Sequence, residues 1–372
     1  MIDTFSSDKP IGSNCLGVEI CVRPGMPPEK RFVMDNRTRV LVTGAGGFIG
    51  HHLANYLVNK DYWVRGVDIK KPEFEPSAAH EFELLDLRVW ESCIAATHGI
   101  DEVYGLAANM GGIGFIEKNK GIIVRDNTLI NLQTIEAARV NHVKRYLFSS
   151  SACIYPGYRQ AATDVAPLRE EEAYPADAED GYGWEKLYME RICRHYMEDF
   201  GLETRVIRFH NIYGPLGTYD GGREKSPAAI CRKVAQAQDG EAIEVWGDGL
   251  QTRSYCFIDD CVEGIYKLMR SDYRQPLNLG RDEMVSINQL VDIVARIAGK
   301  HIRKVYNLSQ PVGVRGRNSD NTRCRAVLGW EPGITLEEGL LRTYAWIAEE
   351  LRLSTKGFLP MGASVGALVS HV

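Results

Sequence analysis

The chain is predicted to be an α/β protein whose main part is a doubly wound parallel sheet, and three observations predict it. Short apolar runs alternate with amphipathic stretches from about residue 39 to residue 210. A glycine-rich turn follows the first apolar run and opens a helical pattern. With 372 residues, 44% of them hydrophobic, the chain also exceeds the usual size of one domain, so a smaller second domain is expected.

The apolar pattern places the elements of the main part in chain order. Strands are predicted at residues 40–43, 63–68, 82–87, 103–107, 146–150 and 204–209. Helices are predicted from residue 47 and at residues 89–98, 122–140 and 182–200. Because strands and helices alternate, the strands should run parallel with helices covering the sheet.

The pattern changes after Asn211, where a glycine-rich loop begins and the elements become shorter. The elements predicted there are a helix at 227–238, strands at 243–246 and 254–257, a helix at 286–298 and a last helix at 336–351. They indicate a smaller, mixed α/β domain. The predicted organisation is an extended arm at 1–37, the main domain at 38–210, the smaller domain at 211–352 with possible returns to the main one, and a flexible tail at 353–372.

Composition argues against several classes of function. A net charge of -5 and a pI of about 6.0 give no basic surface for nucleic acid. No segment approaches the roughly 18 consecutive apolar residues of a membrane span, and the N-terminus lacks a secretory signal pattern. The nine cysteines form neither a CxxC pair nor a metal-binding spacing, which indicates reduced thiols, a cytoplasmic protein and no metal site.

The glycine-rich turn, GAGGFIG at residues 44–50, is typical of a Rossmann-type dinucleotide-binding domain. It directly follows a strand and opens a helix, which is the context that this signal requires. The glycines allow a tight turn and close approach to a pyrophosphate, and the helix N-terminus favours the negative phosphates. The alternative is a glycine turn without a ligand. The predicted cofactor contacts in this turn are Gly44, Gly47, Phe48, Ile49 and Gly50.

An acidic residue at the end of the second predicted strand indicates which dinucleotide binds. Asp68 lies 18 residues after Gly50, where its carboxylate would accept hydrogen bonds from the adenosine ribose and repel a 2′-phosphate. This favours NAD over NADP, although the nearby Lys70 would tolerate an extra phosphate. Asp86, in the third predicted strand, would suit the adenine edge, and a plain surface acid is the alternative.

Tyr182 and Lys186 form a candidate pair for hydride transfer. They are four residues apart on a predicted helix, so both side chains project from one face. A neighbouring ammonium and the positive nicotinamide would lower the pKa of the tyrosine from about 10, so that it accepts the proton of an alcohol. Ser151, which follows the preceding strand, would hydrogen-bond the same oxygen. A solvated helix face is the alternative.

Together these motifs resemble the extended short-chain dehydrogenase/reductase family, most of whose members act on nucleotide sugars. The likeness covers roughly residues 38 to 350. Within the family, several segments resemble the GDP-mannose 3,5-epimerases: NMGGIGFI at 109–116, SACIYP at 151–156, GGREK at 221–225, WGDGLQTRS at 246–254 and VRGRNSD at 314–320.

The resemblance implies a reaction in three stages on GDP-D-mannose. NAD+ would remove hydride from C4, the resulting ketone would acidify the hydrogens at C3 and C5, and the hydride would return after inversion. GDP-L-galactose would be the product, with GDP-L-gulose from inversion at C5 alone. Cys153 and Lys225 would form the acid/base pair, whereas related GDP-fucose synthases use a histidine where this chain has Leu216. A homodimer through the helices at 122–140 and 182–200 is also implied.

Substrate binding requires about two positive charges for the diphosphate. Single arginines more often lie in surface ion pairs, so these assignments compete with that alternative. The predicted diphosphate contacts are Arg253, Arg315, Arg317 and Lys233, and the predicted sugar contacts are Gly111 and Asn211. The resembling segments add Ser151, Ala152, Cys153, Glu224, Lys225 and Gln251.

Two other functions stay open at this stage. One is another NAD-dependent nucleotide-sugar enzyme, such as a 4-epimerase or an epimerase–reductase. The other is a non-catalytic NAD-bound regulator or scaffold, which the joint presence of Tyr182, Lys186, Cys153 and Lys225 disfavours. The sequence leaves open which of Cys153 and Lys225 is the base at each carbon.

Overall fold

The computed structural model describes residues 36–355, so the predicted N-terminal arm and most of the predicted tail lie outside the described residues. Within that range the strands are β1 (Arg39–Thr43), β2 (Trp63–Asp68), β3 (Glu81–Leu84), β4 (Glu102–Gly105), β5 (Arg145–Ser151), β6 (Glu203–Phe209), β7 (Ile212–Tyr213), β8 (Ala242–Trp246), β9 (Thr252–Ser254), β10 (Cys256–Phe257), β11 (Leu277–Leu279), β12 (Met284–Ser286), β13 (Arg303–Asn307) and β14 (Gly316–Arg317).

The α-helices of the same range are α1 (Phe48–Asn59), α2 (Trp90–Thr97), α3 (Ile113–Lys118), α4 (Lys120–Val140), α5 (Asp180–Phe200), α6 (Ser226–Gln236), α7 (Ile258–Arg270), α8 (Ile287–Ala298), α9 (Thr322–Leu328) and α10 (Leu336–Thr355). Among them, none combines the length and the apolar character that a membrane crossing requires.

The main sheet contains seven strands in the order β11-β6-β5-β4-β1-β2-β3. Every neighbouring pair is parallel, as Val40 beside Val64 in β1 and β2 illustrates. Alternate residues of β1 enter different hydrophobic cores: Val40 and Val42 pack with α1, whereas Leu41 packs with α2 and α4. Helices therefore cover both faces, and the predicted doubly wound parallel sheet is confirmed.

The elements after residue 211 form three small sheets and return once to the main one. The small sheets pair β10 with β7, β13 with β8, and β9 with β12 and β14. β11 then joins the main sheet as its edge strand beside β6. The prediction of a single strand at residues 254–257 is wrong in detail. Two short strands, β9 and β10, form in this region, and α7 follows β10 directly.

A buried ion pair fixes α5 to the sheet. Arg208 of β6 and Glu190 of α5 are 2% and 5% exposed, and the guanidinium donates hydrogen bonds of 2.9 and 2.7 Å to the carboxylate. Ser150 donates a third bond to that carboxylate at 2.5 Å. Arg208 also donates to the Tyr155 hydroxyl at 3.0 Å. Both charges are thus satisfied inside the core, beneath the helix that carries Tyr182.

Replacement of Glu190 by alanine is expected to destabilise the protein by about 3–5 kcal/mol, because Arg208 would remain as a buried charge without its partner. Urea unfolding followed by circular dichroism measures this. The matched control is Glu198→Ala on the same helix, where the carboxylate pairs with Arg194 in solvent and the unfolding midpoint should scarcely move. Equal midpoints for the two variants would contradict the stabilising role.

Candidate active site

A cavity of about 1250 Å³ opens along the carboxyl edge of the main sheet. Parallel strands all end at one edge, so residues that follow β1, β4, β5 and β6 meet there. Every residue that the sequence assigns to the site lines this cavity, with Arg315 as the exception. The structure therefore brings the predicted cofactor turn, the Tyr182 and Lys186 pair, Cys153 and Lys225 to one place.

The glycine turn has the close packing that a dinucleotide site requires. Gly44 has a φ of +72°, which side chains rarely adopt. A Cβ atom on Gly50 would lie 2.1 Å from the Gly44 carbonyl oxygen, and one on Gly46 would lie 2.1 Å from the Lys70 carbonyl oxygen. Only glycine allows α1 to begin so close to β1 and leaves the amides at its N-terminus open to phosphates.

Asp68 is held beside this turn. Its carboxylate accepts hydrogen bonds from the Gly46 amide at 2.9 Å and the Lys70 amide at 3.2 Å. Burial raises the pKa of Asp68, and these amides oppose that effect. Asp86 is bound by the Arg88 guanidinium at 2.7 Å, and this hydrogen bond lowers the pKa of Asp86. Both acids line the cavity, and the Asp68 position fits an adenosine ribose.

Lys186 presents a buried ammonium to the cavity without a protein partner. The residue is 1% exposed, and among the described residues its Nζ has no hydrogen bond. Its nearest carboxylate oxygen, in Glu185, is 4.0 Å away, and burial lowers the pKa of Lys186. A ligand in the cavity would satisfy a buried polar atom of this kind. The hydroxyl groups of a nicotinamide ribose suit that role.

The side chains around Tyr182 do not lower its pKa, contrary to the expectation from the sequence. Burial raises the pKa of Tyr182, and the neighbouring Cys153 adds to the increase. Lys186 lies 5.7 Å from the centre of the tyrosine ring, and its own pKa is lowered, so it offsets little of this effect. A hydrogen bond with Ser151 acts in the opposite direction and favours the phenolate.

Cys153 follows β5 in a short 3-10 turn that Ser151 caps. The Cys153 amide donates to the Ser151 hydroxyl oxygen at 3.2 Å. The Arg317 guanidinium lies 3.4 Å from the sulfur. Burial raises the pKa of Cys153, Glu179 adds to the increase, and Arg317 opposes it.

Lys225 immediately precedes α6 and enters the same cavity from the other part of the chain. Its side chain is accessible from the cavity, whose walls surround it. This enclosure lowers the pKa of Lys225, and the charge of Cys153 acts in the opposite direction. The thiol and the amine thus face one space with pKa values displaced toward each other.

The predicted substrate contacts differ in whether their polar groups already form hydrogen bonds within the protein. Arg253 donates to the backbone carbonyls of Thr252 and Val312 at 2.8 and 3.0 Å, and burial lowers its pKa to about 10. Lys233 donates to the Glu244 carbonyl at 2.8 Å. Gln251 leaves its side-chain oxygen buried without a partner in the described residues.

The remaining contacts are held by the backbone or by neighbouring side chains. The side-chain amide of Asn211 donates to the Ser254 carbonyl oxygen at 2.9 Å, and the Glu224 carboxylate accepts from the backbone amide of Gly222 at 2.7 Å. Gly111 has no room for a Cβ atom, which would lie 2.8 Å from the Phe115 ring. Ala152 is 2% exposed and belongs to the turn that carries Cys153. All four residues line the cavity.

The structure corrects one assignment and adds two residues. Arg315 does not line the cavity, because its guanidinium is bound to the Asp248 carboxylate at 3.0 and 3.1 Å. Glu179 and Gln160, which the sequence analysis missed, both contact Arg317. Glu179 directly precedes the helix of Tyr182, so its acidic side chain at that helix start was a usable signal. No feature of the sequence indicated a role for Gln160.

Comparison with known proteins places these features in a family. The model of the NAD dependent epimerase/dehydratase family matches residues 40–280. GDP-mannose 3,5-epimerase 1 of Oryza sativa subsp. japonica is 50% identical over 324 residues, 87% of this chain and 85% of that protein. GDP-mannose 3,5-epimerase of Arabidopsis thaliana is 50% identical over 315 residues, 84% of this chain and 83% of that protein.

A solved structure shows the same fold. The crystal structure of UDP-glucose 4-epimerase with UDP-glucose from Thermotoga maritima is similar with a TM-score of 0.75 and 26% identity. The match covers 84% of this chain and 100% of that one. The prediction of NAD as the cofactor is confirmed by the matching family. This chain belongs to the NAD dependent epimerase/dehydratase family.

Proposed function

We propose that this chain is a GDP-mannose 3,5-epimerase that converts GDP-D-mannose to GDP-L-galactose, with GDP-L-gulose as the product of inversion at C5 alone. The observation that carries the proposal is the convergence of Tyr182, Cys153 and Lys225 on one cavity. A 4-epimerase needs the tyrosine, but it has no use for a second acid/base pair. The 50% identity to plant GDP-mannose 3,5-epimerases supports the same reaction.

The oxidation is assigned to the carboxyl edge of the main sheet. The glycine turn, Asp68 and Lys186 would hold NAD, which when bound would supply an acceptor for the C4 hydride and a donor for its return. Tyr182 exchanges the proton of the C4 hydroxyl, and Ser151 orients that oxygen. The Ser151 hydrogen bond favours the phenolate, which is the form that accepts a proton.

The inversions are assigned to Cys153 and Lys225. A ketone at C4 acidifies the neighbouring hydrogens at C3 and C5, and inversion then needs proton removal on one face and delivery on the other. Burial raises the pKa of the thiol and lowers that of the amine, so the two pKa values are displaced toward each other. A thiol and an amine can each donate or accept a proton, which suits exchange at two carbons.

We assign the diphosphate to Arg253. Its guanidinium is fixed by two backbone carbonyls, and its charge faces the cavity without a carboxylate bound to it in the described residues. Lys233 adds a second positive charge at the cavity wall, although its side chain is also near Glu244. Gln251 offers a buried oxygen that a hydroxyl or amino group of the substrate would satisfy.

The proposed reaction is tested in deuterated water with the NAD-bound protein and GDP-mannose. We expect deuterium at C3 and C5 of the recovered GDP-hexoses and GDP-L-galactose among the products, detected by NMR and mass spectrometry. No exchange at either carbon would overturn the proposal. Inversion at C4 alone would indicate a 4-epimerase, and stoichiometric oxidation of added NADPH would indicate an epimerase–reductase.

Variants of the acid/base pair refine this test. Cys153→Ser and Lys225→Met should each slow deuterium exchange at least about 100-fold while NAD binding persists, since each removes one partner of the proton exchange. Lys118→Met is the matched control, because this exposed lysine of α3 lies outside the cavity lining. Its exchange rate should equal that of the parent protein, and normal exchange by Cys153→Ser would exclude the thiol.

We also infer that the protein works as a homodimer in the cytoplasm. Large apolar side chains are exposed along α4 and α5. Ile122, Leu129 and Val140 share one face of α4, and Trp184 and Tyr188 share one face of α5. Their burial against the same helices of a second copy would form a four-helix contact. The seven described cysteines are all free thiols, which suits a reducing compartment.

Replacement of Tyr188, which is 49% exposed on α5, by glutamate should convert the dimer to a monomer, because a charge would be buried in the apolar contact. Sedimentation velocity measures the mass. Leu308→Glu is the control, since this equally apolar residue is 76% exposed and follows β13, away from both helices. A dimeric Tyr188→Glu protein would contradict the assigned interface.

A further inference from the structure

We propose that Arg317 and Glu179 form a positioning pair with opposite effects on the proton of Cys153: Arg317 favours the thiolate and Glu179 favours the thiol. Neither residue is assigned to a reacting atom, and both act through the sulfur. The benefit for proton exchange at the sugar rests on the proposed function. The effect on the thiol is a property of the protein before any substrate binds.

Arg317 is fixed by contacts at every guanidinium nitrogen. Nη1 lies 3.4 Å from the Cys153 sulfur, Nη2 donates to Glu179 at 2.6 Å, and Nε donates to Gln160 at 2.6 Å. The residue is 6% exposed. These three contacts hold the planar guanidinium in one orientation beside the sulfur. The predicted contact of Arg317 with the diphosphate stays a prediction, because the residue also lines the cavity.

Glu179 is fixed on the opposite side by the main chain of Cys153. The Glu179 amide donates to the Cys153 carbonyl at 2.8 Å. Gly183, one turn further, packs on the same carbonyl so closely that a Cβ atom would lie 2.2 Å from its oxygen. The start of α5 thus packs directly on the turn after β5, and the bond to Arg317 holds the Glu179 carboxylate near the sulfur.

The charges around the sulfur explain why the pair should act in opposite directions. Burial is the largest influence on the Cys153 pKa, after which Glu179 raises it and Arg317 lowers it. Tyr182, Lys225, Arg253 and the Ser151 hydroxyl complete the set of groups that face the thiol. With both members present, the local charge of the pair is close to zero. Removal of one member leaves the charge of the other beside the sulfur.

This balance has a chemical purpose. A group that exchanges protons at two carbons must reach both its protonated and its deprotonated form. Burial favours the thiol form of Cys153, and an arginine without an opposing carboxylate favours the thiolate form. The paired charges leave the thiol between these limits. A purely structural ion pair would give a different outcome, because either substitution would loosen the site in the same way.

The experiment measures the alkylation of Cys153 by iodoacetamide as a function of pH in the NAD-bound full-length protein without substrate. Only the thiolate reacts, so the midpoint of the rate profile reports the proton affinity of the sulfur. Mass spectrometry of the peptide separates Cys153 from the other cysteines. We expect Glu179→Gln to lower the midpoint by about one pH unit and Arg317→Gln to raise it by about one unit.

Three further variants complete the design. Arg315→Gln is the matched control, because Arg315 is two residues from Arg317 but pairs with Asp248 outside the cavity, and its midpoint should not move. Arg317→Lys keeps the charge and should restore part of the parent midpoint. Gln160→Ala removes a neutral contact and should shift the midpoint less than either charged substitution.

Equal or parallel shifts in Glu179→Gln and Arg317→Gln would overturn the proposal. Should Arg317→Gln fail to fold, Glu179→Gln decides alone: a lower midpoint supports the pair, and an unchanged or higher one rejects it. The assay contains no GDP-mannose. Its result therefore stands whether or not deuterium exchange occurs at C3 and C5, and the two proposals fail independently.

Discussion

The parallel alignment of the four central strands determines where the reactive groups of this protein lie. Their carboxyl ends meet at one edge, and the loops that leave them are tied to each other there. The Thr43 hydroxyl at the end of β1 accepts hydrogen bonds from the Leu106 and Ala107 amides after β4, both at 3.1 Å. Ser151 ends β5 and Asn211 follows β6. The glycine turn, the proposed hydroxyl donor Ser151 and the proposed sugar contact Asn211 are therefore neighbours in space, although no sequence motif joins them.

Two ion pairs anchor helix α5, one buried within it and one partly buried at its start. Glu190 binds Arg208 of the main sheet, and Glu179, which immediately precedes the helix, binds Arg317 of β14. Tyr182 and Lys186 lie between these anchors. A helix held at both points keeps a tyrosine and a lysine in place even though burial disfavours their charged forms.

The parts of the fold and site that were predictable are those that depend on local pattern. Gly44 follows β1, whereas Asp68 ends β2 and Ser151 ends β5. Apolar runs reveal these strands, and the geometry of a parallel sheet brings their carboxyl ends together. The Arg317 and Glu179 pair joins residues 138 positions apart, and residue type cannot distinguish Arg317 from Arg315 in the same motif. Helix α7 was missed although its apolar spacing is helical, because it follows β10 without a loop.

The proposed chemistry divides between two parts of the chain, and the division has a consequence. Tyr182 and the cofactor turn belong to the elements before residue 211, whereas Lys225 and Arg317 belong to elements after it. Cys153 lies between these two parts. Its backbone directly follows strand β5 of the main sheet, and its sulfur lies beside Arg317. Substitutions after residue 211 can therefore alter proton exchange while hydride transfer stays intact. A fold that oxidises one carbon can in this way acquire inversion at its neighbours through a thiol, an amine and the charges that balance them.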